Sequence, residues 1–163
     1  MTFVSDLASH EDRLSAHRFE LPQAAPTPIG AFRNLRRIGR CVYVSGQGPV
    51  EADGTLLRGK VGDDVSTEQA RGHARLVALN ILAVLRDEFG SLDAIAGVVK
   101  LLGLVNAVPD YEDHPTVIDG ASEIMHMVFG EAGSHARTSF GVGSLPNRIT
   151  VEIEAVFELT AET

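Results

Sequence analysis

The chain has 163 residues, 44% of them hydrophobic, which suits one domain of ordinary size with a real core and excludes general disorder. Its net charge of −8 is uneven: residues 1–40 hold six Arg against four acids, while residues 41–163 hold eight basic against eighteen acidic residues. Such an acidic surface repels a phosphate backbone, which argues against a nucleic-acid partner.

No apolar run approaches the roughly 18 residues of a membrane span, and the best stretch, residues 98–108, is broken by Lys100 and Asn106. The first residues carry Asp6, Glu11 and Asp12 where a signal peptide needs an apolar run, which argues against export. Cys41 is the only cysteine, so no internal disulfide forms and a reducing cytoplasm is the expected location.

In chain order, residues 1–24 are expected to form a helical or irregular extension, with residues 25–163 as a single domain. Pro22, Pro26 and Pro28 punctuate a linker. Two strands are expected at residues 32–37 and 41–45, joined by a turn at Ile38, Gly39 and Arg40. Arg33, Arg36, Arg37 and Arg40 on this hairpin read as a solvated basic face. A glycine-rich loop follows. It lacks the Lys-Ser/Thr ending of a phosphate loop, and no helix opens directly after it.

A helix is expected over residues 67–89. Ser66 and Gln69 form a capping box, Ala70, Ala74, Val77, Ile81 and Leu85 share a face, and Gly90 stops it. Within it, His73 and Asn80 read as helix-packing polar groups. Residues 94–107 read as a strand. Pro115 opens a second helix that ends near Phe129 with Gly130 as its stop. The last strands are expected at residues 137–142 and 149–159, joined through Leu145, Pro146 and Asn147.

The last strand alternates, with Val151, Ile153, Ala155 and Phe157 toward the helices and Glu152 and Glu154 turned away. The strand before the second helix is apolar on both faces, with Val99, Leu101 and Val105 on one and Val98, Leu102 and Leu104 on the other. Two long helices supply one covering layer, so a second subunit is expected to cover the opposite face.

Two residues in this last region have chemical promise. Arg137 can hold a carboxylate through two parallel hydrogen bonds. Glu152, expected on an adjoining strand, can position water or move a proton. His114, His126 and His135 match no zinc spacing and are expected at surface or capping positions, and no metal is expected. Neither Ser45 nor Ser139 lies in a nucleophile-elbow motif.

The segment Val44, Ser45, Gly46, Gln47, Gly48, Pro49, the apolar strand after the capped helix, the step Ala136, Arg137, Thr138 and the segment Thr150, Val151, Glu152, Ile153, Glu154, Ala155 occur in that order. Together they resemble the Rid/YjgF family of reactive-intermediate (enamine/imine) deaminases, also known as L-PSP-type endoribonucleases, over about residues 28–159. The resemblance implies a chorismate mutase-like α+β fold. A mixed sheet carries two helices on one face, and a homotrimer packs its sheets into a central barrel with ligand clefts between subunits.

It also implies hydrolysis of enamines or imines to a 2-keto acid and ammonia, with no cofactor. Arg137 would grip the carboxylate of a small substrate and Glu152 would orient water or shuttle a proton. Ser45 would line the cleft, and the peptide groups around Ser139 would help hold the ligand. Two departures mark a divergent branch: Phe32 stands where deaminating members have a tyrosine, and Ser122 where many have an asparagine, with Asp119 one turn earlier. The alternatives are a non-catalytic small-carboxylate-binding protein and an endoribonuclease or translation inhibitor, the latter disfavoured by charge.

Overall fold

A computed structural model describes residues 9–161. Ser9 caps a short helix α1 (His10–Ala16) by accepting from the Asp12 amide. After the proline linker come strands β1 (Leu35–Ile38) and β2 (Cys41–Gln47), turned at Gly39, whose φ of 58° suits glycine. The expected strand at Phe32 starts three residues later, at Leu35. Ser45 still ties the chain before it to β2: its amide donates to the Asn34 carbonyl (2.8 Å) and its hydroxyl to the Arg33 carbonyl (2.7 Å).

Helix α2 (Thr67–Phe89) has both halves of its capping box, Ser66 with Gln69, and ends on left-handed Gly90. Strand β3 (Ile95–Asn106) follows, then α3 (His114–Phe129), β4 (Ala136–Val142) and β5 (Val151–Leu159). The five strands run in the order β1-β2-β5-β3-β4. Strands β3 and β4 are parallel and the other pairs antiparallel. A parallel pair needs a long crossover, and α3 supplies it.

Two expectations change here. Strands β4 and β5 do not adjoin, because β3 lies between them; the Leu145, Pro146, Asn147 segment contains a 3-10 turn (Pro146–Arg148) leading to a strand one place further in. The doubly apolar strand also has its faces reassigned at one end. A break in register between Val98 and Lys100 inserts an extra residue, so Val98 (5% exposed) joins Leu101 and Val105 under the helices. Val99 (45% exposed) leaves the core.

Helices α2 and α3 cover one face of the sheet, and the core is the layer between, with Ile81, Leu85, Leu101, Ile118, Met125, Ile153 and Phe157 fully buried. Gly103 of β3 lets Ile118 of α3 sit where a side chain would otherwise stand. The segment expected as an extension contributes Leu14 to this core, and Glu11 pairs with Arg86 of α2. The other sheet face carries Tyr43, Val99 and Phe140 exposed and Leu102, Leu104 and Val156 half-buried. Within the described residues no helix is long and apolar enough to cross a membrane.

Candidate functional site

Arg137 lies on β4 facing the helices: it registers with Leu101, which registers with Ala155, and both of those are buried under the helix layer. Its guanidinium reaches α3. Nη1 donates to Asp119 Oδ1 (2.7 Å) and to Ser122 Oγ (3.0 Å), and Nη2 donates to the Pro115 carbonyl (3.3 Å). Nε and the second Nη2 hydrogen have no partner among the described residues, and together they form the side-on fork that a carboxylate fits.

Ser122 in turn contacts His135. The His135 Nδ1 lies 2.6 Å from the Gly133 carbonyl, which only an N–H satisfies, so the neutral ring accepts the Ser122 hydroxyl proton at Nε2 over 2.9 Å. Burial holds the His135 pKa below the usual histidine value, and the neighbouring His126 and Arg137 add to this. The expectation of a surface or capping histidine misses this role. His126 stands beside it with ring centroids 5.6 Å apart. Ser139 shares the Arg137 face of β4, and its hydroxyl is buried without a partner among the described residues.

Glu152 lies on β5 and registers with Leu104, on the helix-free face as the alternation predicts. It makes no hydrogen bond or ion pair among the described residues. Burial raises its pKa above the usual carboxylate range, and Glu154 raises it further. Its carboxylate rests on the backbone of Gly46, where an added Cβ would collide with Oε1. Glu152 and Phe32 line one cavity of about 210 Å³ together with the proline linker and the loop after β2. Ser45 sits beside it in a shallow recess with Phe32, Tyr43 and Glu154.

Asn80 is more than a helix-packing group: fully buried on α2, it donates to the carbonyls of Gly48 and Val50, each over 3.1 Å, and so fixes one wall of that cavity. Only the loop's lack of regular structure hints at this in the sequence, since a buried loop needs side-chain donors for its carbonyls.

The structure therefore sorts the six expected site residues into two groups. Arg137, Ser122 and Ser139 gather on the helix-covered side, and Glu152, Phe32 and Ser45 on the helix-free side. Arg137 and Glu152 face opposite sides of the sheet with β3 between them, so one chain does not bring them together. Among the described residues no three His, Cys, Asp or Glu side chains group where a metal ion could be held.

A five-stranded mixed sheet with two long helices on one face defines an α+β protein of chorismate mutase-like architecture. The YjgF/chorismate mutase-like family model matches residues 11–157, and the chain belongs to that family. A solved Agrobacterium tumefaciens protein of unknown function, Atu1372, superposes with a TM-score of 0.84 at 40% identity, covering 92% of each chain. Protein TCP17 of Trypanosoma cruzi is 35% identical over 86% of this chain and 88% of its own length. A 2-iminobutanoate/2-iminopropanoate deaminase of Dermatophagoides farinae is 28% identical over 88% and 97%.

Proposed function

We propose that this protein hydrolyses the C=N bond of small imino carboxylates at a cleft between subunits of a homotrimer, with Arg137 of one copy facing Glu152 of another. The observation that carries this is Glu152, a half-buried carboxylate with no partner among the described residues and a raised pKa. A deaminase relative and the partly exposed apolar side chains of the helix-free face support the same reading.

Arg137 binds the substrate carboxylate through Nε and Nη2, fixing the C=N carbon and lowering the entropic barrier. Glu152 accepts a proton from water as its oxygen bonds to that carbon and the C=N electron pair moves to nitrogen. The same proton then passes from Glu152 to the nitrogen. Glu152 next takes the hydroxyl proton of the carbinolamine and delivers it to the nitrogen, so the carbonyl forms as the C–N bond breaks and a 2-keto acid and ammonia leave. Burial and the neighbouring Glu154 raise the Glu152 pKa, which favours its giving the proton back as well as taking it. Phe32 contributes no hydroxyl, but imines hydrolyse readily and the required rate enhancement is modest.

The test couples the protein to an enzyme that releases an imino acid and follows imine decay. Arg137→Ala is expected to lower kcat/KM by about 100-fold or more, the scale of losing a charge-assisted bidentate anchor. Equal decay with wild type and Arg137→Ala would sink the proposal. Mixing Arg137→Ala with Glu152→Gln subunits is expected to restore about a quarter of wild-type activity, since a random mixture leaves that fraction of clefts intact. No recovery after subunit exchange removes the shared cleft.

A second reading, favoured by the missing hydroxyl at Phe32, is a carboxylate-binding protein without chemistry. It predicts saturable, Arg137-dependent binding and no turnover of any imine.

A further inference from the structure

The cavity beside Glu152 is larger and more apolar than a substrate with a methyl or ethyl side chain requires. Its volume is about 210 Å³, whereas an apolar cavity of about 150 Å³ already holds benzene. Pro28, Ile29, Phe32, Val50, Leu56 and Ile149 supply its walls. Ile29 and Phe32, 72% and 48% exposed in the single chain, stand on its lining.

Two of the polar side chains on its lining are already engaged, while Thr27 and Asn147 add a hydroxyl and an amide to it. Asn34 Nδ2 donates to the Pro26 carbonyl at 2.6 Å, and Gln47 Nε2 donates to Ser45 O at 3.1 Å and to Asn34 Oδ1 at 3.4 Å. The carbonyls of Gly48 and Val50 take the Asn80 amide. Among the described residues Glu152 is the only ionisable side chain on the lining, so the reacting end of a ligand belongs there and its apolar end in the cavity.

We propose that this cavity is a side-chain subsite that makes the protein selective for carboxylates bearing a branched aliphatic or aromatic group, isobutyl or benzyl in size. The inference rests on the reading of Glu152 and Arg137 as a small-carboxylate site. Burying each added methylene gains about fourfold in affinity, so the discrimination is large.

The test measures Kd by calorimetry for three 2-keto acids with methyl, isobutyl and benzyl side chains, on wild type, Leu56→Trp and Ile29→Trp. Leu56 lies partly exposed in a loop and Ile29 at the surface, so at least one variant should fold. Wild type is expected to bind the isobutyl or benzyl ligand at least about tenfold more tightly than the methyl one. That ratio should drop below about threefold when indole fills the cavity. Equal affinities, a ratio that survives both substitutions, or no binding of any of the three overturns the subsite. Imine turnover separates the two proposals. Turnover insensitive to side-chain size leaves the hydrolase standing without the subsite. A steep binding series with no turnover does the reverse.

Discussion

The two half-sites differ in how completely their charged groups are satisfied. On the helix-covered side, Arg137 is braced by Asp119, Ser122 and the Pro115 carbonyl, and Ser122 is itself oriented by His135. On the helix-free side, Glu152 rests against a glycine backbone with no hydrogen bond or ion pair among the described residues. A braced cation holds a ligand in one orientation, whereas an unpaired carboxylate in partial burial is free to exchange protons. On the proposed reading, one half-site positions the ligand and the other moves the proton.

The sharpest way to break this contrast is Gly46→Ala. Gly46 has no positive φ, so alanine is tolerated by its backbone, but its Cβ collides with the Glu152 carboxylate. If Glu152 moves the proton, kcat should fall about 100-fold, the cost of an ångström-scale misplacement, while KM stays within about threefold. In a Glu152→Ala background the same substitution should add nothing, which a double-mutant cycle reads directly. A KM effect of equal size would make Gly46 part of binding instead.

A smaller effect probes the braced side. Asp119 holds Nη1 of Arg137 but also places a negative charge beside an anionic ligand. Asp119→Asn keeps an oxygen to accept from Nη1 and removes the charge. Carboxylate ligands should bind about threefold more tightly, with the gain shrinking as salt is added, since the pair is partly exposed. Weaker binding would show that the Asp119 charge positions Arg137 more than it repels the ligand.

What was legible in the sequence follows from how local each signal is. The capping box of Ser66 and Gln69, Gly90 and the alternation of β5 are decided within a few residues, and α2 and the outward face of Glu152 follow from them. The bulge near Val99 is not local: an extra residue in β3 is defined only against its partner β5, and it exchanges the faces of Val98 and Val99. The same holds for Arg137. Its strand is the fourth in the chain yet lies at the sheet edge beyond β3, so its separation from Glu152 depends on pairing order and not on the turn at Pro146. His135 has no motif, and its role appears only when Gly133 and Ser122 are brought around the ring.

The smallest predicted effect sets the two sides against each other through pH. The folded Glu152 pKa is raised, so the folded chain holds that proton more tightly than the unfolded chain. The stability from this group is full below the ordinary glutamate value of about 4.3 and is lost as pH rises through the folded pKa. Glu152→Gln should therefore raise Tm slightly at pH 7 and leave it unchanged near pH 4, read by thermal denaturation. His135 runs the other way: its lowered pKa gives stability that is full above about 6.5 and lost as pH falls through the folded value. His135→Gln should flatten the acid side of the same curve and leave the neutral-pH response to Glu152→Gln intact. If either substitution altered both limbs, the half-sites would be coupled through the sheet or across a subunit contact, and the division into a braced anchor and a free proton carrier would fail.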